Sequence, residues 1–338
     1  MLAVARSKTD SPKVSIVTTT HNQEAYVRQA FDSFVAQQVD FPVEIIVADD
    51  ASTDSTPAII REYAERYPHL FRPIFRPENL GLNRNLVGAL AIARGEYIAL
   101  CEGDDYWVDP LKLNKQVAFL DGNPQTAVCF HPVRVVWEDG HAKDSTFPPI
   151  YLRGNLSVEA LILMNFIQTN SVMYRRLESY DDIPADVMPL DWYLHVRHAV
   201  RGEIAMLPEP MAVYRRHADG MWKNQIADPP KFWLAQGPGH VATFDAMLDL
   251  FEGDPGREEL VAVMADWILH QIEKVPGPEG RVALQDAIAA HPRFAILAMR
   301  YRWETRAQRL KTFARRLAIV APSRKGLADV WPSWLKLR

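Results

Sequence analysis

This 338-residue sequence predicts an α/β domain: a mostly parallel central sheet flanked by helices, with a helical C-terminal extension. Three observations predict it. Short β-branched runs alternate with helix-patterned segments through the first half of the chain, the pattern of parallel sheets with right-handed crossovers. Polar and acidic residues stand at the ends of three of those runs, where open α/β sheets bind ligands. From about Pro229 the pattern turns helical, interrupted at Gly253 to Gly256 and at Pro276 to Pro278.

Val14 to Thr20 is β-branched and reads as a buried strand. Asn22 follows as the expected N-cap of a helix, with Glu24 in its first turn and Ala30, Phe31, Phe34 and Val35 at helical spacing. Val43 to Ala48 is a second strand, ending in Asp49 and Asp50. Ser52 or Asp54 caps a helix starting near Pro57. Leu70 to Phe75 is a third strand, and Asn83 to Arg94 a helix stopped by Gly95. Tyr97 to Cys101 is a fourth strand that runs into Glu102-Gly-Asp-Asp-Tyr-Trp107. Beyond it, Ala127 to Trp137 reads as one long strand, Val158 to Met164 as a helix and Ser171 to Tyr174 as a strand. Leu190 to Arg201 is a helix with Asp191 near its start, and Met211 to Tyr214 a strand before Arg215, Arg216 and His217. The expected organisation is a disordered segment at 1–12, an α/β domain at 13–225 and the extension at 226–338.

Composition excludes some functions. The net charge of −4 gives no reason to expect a nucleic-acid partner. Cys101 and Cys129 sit in apolar runs and read as core residues, and two cysteines make no disulfide framework, so a reducing cytoplasm is expected. Residues 1–12 lack the apolar stretch of a signal peptide, and no apolar run reaches the roughly 20 residues of a membrane span. There is no G-x-G-x-x-G after the first strand, no zinc-ligand spacing and no nucleophile elbow.

What remains is acidic chemistry at strand ends. Glu102, Asp104 and Asp105 repel one another unless a divalent cation sits among them, and hard cations such as Mn²⁺ and Mg²⁺ favour carboxylate oxygens. An acidic turn capping the helix after Pro110 is the plainer alternative. Asp49 and Asp50 offer acceptors for a base N–H or a ribose hydroxyl, or form a cap-rich turn. Arg84, after Asn79-Leu-Gly81, is a candidate phosphate contact or a solvated arginine at a helix start. These features suit a site for a divalent cation and a nucleoside diphosphate. A sugar-phosphate nucleotidyltransferase and a non-catalytic nucleotide-sugar-binding module stay open as alternatives. The former usually brings a glycine-rich phosphate loop, which His21-Asn-Gln-Glu24 is not.

Taken in order, Val14 to Asn22, Val47 to Asp54, Asn79 to Gly81 with Arg84 and Asn85, Gly95 to Ile98, Glu102 to Trp107, and Pro110 to Leu113 with Gln116 closely resemble the family 2 glycosyltransferases, over residues 13–220. The resemblance implies a GT-A (Rossmann-like) fold and an inverting, metal-dependent transfer. It implies that Thr19, His21, Asn22 and Arg84 belong to the donor-nucleotide site and that Asp50 reads the base. Asp104 would lie near the ribose and Asp105 on the cation, with Asp104 and His217 as further ligands. Glu102 stands where the family often has Asp. Inversion needs a base for the acceptor hydroxyl. The matching residue is Asp191, with Asp181, Asp182 and Asp186 nearby and a simple N-cap as the bland reading. Arg215 and Arg216 match a late basic motif suited to the leaving diphosphate or to a surface turn. Gln168 to Ser171 are candidates for the acceptor side. Trp107, Trp192 and Trp222 are candidates to stack on sugars and are equally core-type residues. The implied donor is a UDP-sugar, or a GDP- or dTDP-sugar. The implied acceptor is a glycan or lipid-linked sugar in bacterial cell-surface polysaccharide or glycolipid synthesis.

From Arg293 to the C-terminus, twelve basic residues face only Glu304 and Asp329, while Leu310, Phe313, Ala314, Leu317 and Ala318 recur at helical spacing. A basic amphipathic helix suits peripheral contact with the anionic inner face of the plasma membrane, or docking on the catalytic domain.

Overall fold

The computed structural model describes residues 11–138, 140, 142–217, 220 and 228–303. The segment 304–338, with most of the basic tail, and Trp222 lie outside the described residues. The chain forms two compact units. The first comprises the described parts of Met1–Pro148 together with Ile167–Ala185 and Arg201–Arg216; the second comprises Pro149–Phe166, Asp186–Val200 and the described residues from His217 onward.

The first unit is built on a seven-stranded sheet of order β10-β6-β9-β4-β1-β2-β3. Its strands are β1 (Val14–Thr20), β2 (Val43–Asp49), β3 (Phe71–Phe75), β4 (Tyr97–Leu100), β6 (Thr126–Phe130), β9 (Met173–Arg175) and β10 (Glu203–Met206). All pairings are parallel except those of β9, which is antiparallel to both β4 and β6. Every residue of β1 and β2 is buried, which explains why β-branched residues predominate in both without alternating with exposed polar ones, since such strands are covered on both faces. One face is covered by α1 (Val27–Val35), whose Val27, Ala30, Phe31 and Phe34 form the buried stripe, and by α2 (Thr56–Arg66). Burying a side chain the size of Phe31 or Phe34 contributes about 1.5–3 kcal/mol. The helices α3 (Leu82–Ala91) and α4 (Lys112–Gly122) complete the layers. A second sheet, of order β5-β11-β7-β8, joins β5 (Tyr106–Trp107), β7 (Val133–Trp137), β8 (Ser145–Phe147) and β11 (Ala212–Arg216).

The second unit is helical: α5 (Val158–Leu163), α6 (Leu190–Ala199), α7 (Pro229–Leu250), α8 (Pro255–Glu273), α9 (Pro278–Ala290) and α10 (Pro292–Trp303). Prolines open four of these six helices, at a position where the missing N–H costs nothing. The chain breaks between α7 and α8 and between α8 and α9 fall at the glycine- and proline-rich stretches that predict them.

Several local expectations are corrected. Asn22 does not cap α1. It adopts φ 51°, which Asn tolerates, and its Oδ1 accepts the Thr53 N–H at 2.8 Å, so the helix starts only after Tyr26. Neither Ser52 nor Asp54 is the N-cap of α2, which is Ser55 with no side-chain cap bond: Ser52 is bound to Asp49, and Asp54, one residue earlier than the cap, accepts the Thr56 N–H at 2.9 Å. Gly95 is not the stop of α3, which ends earlier at Ala91. It is needed because a Cβ there would lie 2.4 Å from Ser15 N and 2.7 Å from the Tyr97 carbonyl. The single long strand from Ala127 to Trp137 is two strands in two sheets, parted at His131 and Pro132, where proline removes a ladder donor. β11 runs on through Arg215 and Arg216 rather than ending at Tyr214.

Candidate active site

The carboxyl ends of β2, β1 and β4 lie side by side, because β1 pairs in parallel with both neighbours. This brings together His21 and Asn22, Asp49 and Asp50, and Glu102 to Asp105. The two aspartates after β2 do different work. Asp49 is consumed by the fold: its Oδ1 accepts from Ser52 Oγ (2.6 Å) and Thr20 Oγ1 (3.0 Å), and its Oδ2 from the Ser52 N–H (3.1 Å). Asp50, buried, spends Oδ1 on the Leu80 N–H at 2.7 Å, leaving Oδ2 without a hydrogen bond among the described residues. Its successor Ala51 has φ 56°, a left-handed conformation rare outside glycine and the kind of strain that turn sites hold.

His21 is fixed beside it. Its Nδ1 lies 2.8 Å from the Asp50 carbonyl, which can only accept, so Nδ1 carries the proton. The other nitrogen then accepts from Asn22 Nδ2 and Asn79 Nδ2, both at 3.3 Å. Thr19 contributes its carbonyl, which accepts the Gly103 N–H at 3.2 Å and ties the acidic loop to β1. A Cβ at Gly103 would meet Gln23 Oε1 at 2.4 Å and the Thr20 methyl at 2.7 Å, so a larger residue there would have to move those side chains.

Within the acidic loop Asp105 is 2 % exposed, and its Oδ1 accepts the Arg215 N–H at 2.8 Å. Burial, then the neighbouring Asp104 and Glu102 charges, push its carboxyl well above the usual range. Asp104 and Glu102 are half-buried. The same three carboxylates, after burial, raise the Tyr214 hydroxyl. Among the described residues no three His, Cys, Asp or Glu side chains are grouped to hold a metal. The donor set fits a hard cation that takes one or two carboxylates and fills its other positions from phosphate and water. A negative excess around a buried carboxyl is relieved by such an ion.

The remaining candidates are placed as follows. Arg84 is exposed in the first turn of α3. Arg215 turns its guanidinium onto the protein, donating to the Asp104 carbonyl (2.8 Å), Glu138 Oε1 (2.5 Å) and Gln29 Oε1 (2.6 Å). Arg216 lies over the Trp137 and Tyr214 rings, with its Nε buried and without a hydrogen bond among the described residues. Trp107 is core: its ring packs 4.8 Å from Phe34, carries Lys112 Nζ 4.1 Å over it, and donates Nε1–H to the Asn170 carbonyl at 2.9 Å. In the second unit, Asp191 sits in the first turn of α6 without being its cap, which is Pro189, and Asn165 Nδ2 lies 3.4 Å from its Oδ2. Trp192 is buried against Phe244 and bonded to the Leu161 carbonyl at 2.7 Å. His217 is half-buried directly after β11. Two residues given no role by pattern reading are Asn85, which bridges the Ala48 carbonyl (2.7 Å) and Arg76 Nε (3.0 Å), and Gln29, which anchors Arg215. Only Asn85 carried a signal, its place in the Asn-Arg-Asn run.

The topology, with β9 antiparallel in an otherwise parallel sheet and acidic loops at one edge, is the GT-A class of fold. Residues 15–181 match the model of glycosyl transferase family 2, and the chain belongs to that family, in its bacterial form. It is 59% identical over 315 residues to an uncharacterized protein of Mycobacterium tuberculosis, covering 93% of this chain and 90% of that one. It is 31% identical over 172 residues to the putative glycosyltransferase EpsE of Bacillus subtilis, 51% of this chain and 61% of the relative. Among solved structures it is similar to residues 1–349 of S. aureus TarS in complex with UDP-GlcNAc, with a TM-score of 0.61 at 20% identity over 84% of this chain and 83% of that one. It is also similar to the mannosyltransferase PcManGT of Pyrobaculum calidifontis in complex with GDP-Man and Mn²⁺, with a TM-score of 0.56 at 21% identity over 97% and 91%. At those identities the likeness is one of fold.

Proposed function

We propose that the protein transfers a hexosyl group, with inversion, from a nucleoside-diphosphate sugar to an acceptor hydroxyl. The observation that carries this reading is the buried Asp105, crowded by Asp104 and Glu102, on the same sheet edge as the open Asp50 oxygen and His21. The structural neighbours crystallised with UDP-GlcNAc and with GDP-Man and Mn²⁺ support a nucleotide-sugar donor.

In this scheme Asp50 Oδ2 accepts a base N–H, with Thr19, His21 and Asn22 lining the nucleotide site and Arg84 near the phosphates. Asp104 and Asp105 hold a divalent cation, with His217 as a further ligand. When bound, Mn²⁺ or Mg²⁺ supplies neutralisation of the charge that grows on the leaving diphosphate. Asp191 takes the proton of the attacking acceptor hydroxyl. The acceptor is a glycan or lipid-linked sugar at the inner face of the plasma membrane, and the basic tail supplies the peripheral contact.

A panel of UDP-, GDP- and dTDP-sugars with Mn²⁺ or Mg²⁺, scored for nucleoside diphosphate and for the product anomer, tests the scheme. Asp105→Asn should cut turnover by about 100-fold or more while leaving the unfolding midpoint near that of the wild type. Undiminished turnover in excess chelator would remove the cation from the scheme, and pyrophosphate as product would favour nucleotidyl transfer.

A further inference from the structure

The late basic motif places two adjacent arginines on one strand, and the structure treats them differently. Arg215 has a side chain only 9% exposed. Its three nitrogens each donate to a different partner: Nε to the Asp104 carbonyl, Nη1 to Glu138 beyond β7, and Nη2 to Gln29 on α1. Its Cζ lies over two aromatic rings, 4.9 Å from the centroid of Tyr26 and 5.1 Å from that of Tyr106. Its own backbone N–H holds Asp105 Oδ1. Main chain and side chain of one residue therefore grip both aspartates of the acidic loop and tie them to α1 and β7. The charge is offset by Glu138 at 2.5 Å. A diphosphate would reach this guanidinium only after those bonds were given up.

We propose that Arg215 is a positioning residue that sets the Asp104–Asp105 pair for cation binding and does not itself grip the diphosphate. This rests on the reading of those aspartates as cation ligands. The planar fork is what the place demands: a lysine ammonium is a point charge and cannot hold Asp104, Glu138 and Gln29 while lying flat on two rings.

The test uses the full chain, with Mn²⁺ binding followed by electron paramagnetic resonance in the presence of UDP or GDP, and hydrogen exchange of the 102–107 segment in metal-free protein. Arg215→Lys should weaken Mn²⁺ binding about tenfold or more and speed exchange in that segment. Gln29→Ala removes one tether, no charge and no candidate ligand contact, and should weaken Mn²⁺ binding about threefold. At saturating Mn²⁺, nucleotide affinity should change less than about threefold in either variant. Gln29→Ala binding Mn²⁺ like the wild type would overturn the proposal. So would Arg215→Lys losing nucleotide affinity at saturating Mn²⁺ with unaltered exchange. If the wild type takes up no Mn²⁺ with either nucleotide, the cation-ligand reading itself fails, which is a different result from intact binding in the variants.

Discussion

Two adjacent aspartates after β2 illustrate how residue type leaves role undetermined. Asp49 accepts three hydrogen bonds, two from Ser52 in its own turn and one from Thr20 on β1, so Asp49→Asn is expected to destabilise the protein by about 1–3 kcal/mol in urea unfolding. Asp50 keeps one oxygen open, so Asp50→Asn is expected to raise the donor KM about tenfold or more with little change in midpoint. The reverse assignment of the two effects would refute the split. Lys112 offers a pH test. It is fully buried, bonded to Gln116 Oε1 at 2.8 Å, and burial lowers its pKa from 10.5 to about 7. The unfolded chain keeps that proton up to its ordinary value, so between these values the unfolded state binds more protons and stability rises with pH. Below about 7 both states are protonated and the slope vanishes. Lys112→Met should lose this difference between unfolding at about pH 7 and about pH 9.5, and an unchanged slope would count against the buried, deprotonating lysine.

At the scale of elements, the first hundred residues were readable because each strand and helix there satisfies its own local pattern. β1 is found over the run that predicts it, and β2, β3 and β4 differ from expectation by one residue each. The misreadings occur where a distant group decides. Asn22 is diverted by Thr53, and β6 and β7 separate because Pro132 sends the chain from one sheet to another. Gly95 is a close-approach glycine rather than a helix stop, so Gly95→Ala should cost about 1–3 kcal/mol through the clash with Ser15 and Tyr97 backbone. A neutral effect on urea unfolding would mean the strand can shift aside. Glu44, buried in β2, shows the opposite case. Burial alone would raise its pKa, yet the Arg94 backbone and side-chain bonds, with Ser15, hold it below 4.5. Its contribution to stability is present at neutral pH and is lost as pH falls through that lowered value.

At the scale of the molecule, the chain divides into an α/β unit carrying the acidic edge and a helical unit carrying Asp191. Among the described residues no helix is long and apolar enough to cross a membrane. The basic residues of 304–338 are proposed to act by charge and apolar burial at a lipid surface. The full chain is therefore expected to sediment with vesicles of anionic lipid at low salt, and a chain ending at residue 303 is not. Raising salt to about 0.5 M should weaken the association. Equal sedimentation with neutral vesicles would contradict the electrostatic part of this prediction.

Periodicity, turn chemistry and the acidic residues at strand ends were enough to reach the α/β class, the order of the early elements and the edge that carries the chemistry. These are short-range properties, written in neighbouring residues because a strand or a helix turn is a local object. The assignment of oxygens was settled elsewhere: Asp49 against Asp50, and Arg215 turned inward onto Asp104, Gln29 and Glu138. Those choices join residues far apart in the chain. A hydrogen bond is decided by which groups packing leaves within 3 Å or so of each other, and no local pattern encodes that distance.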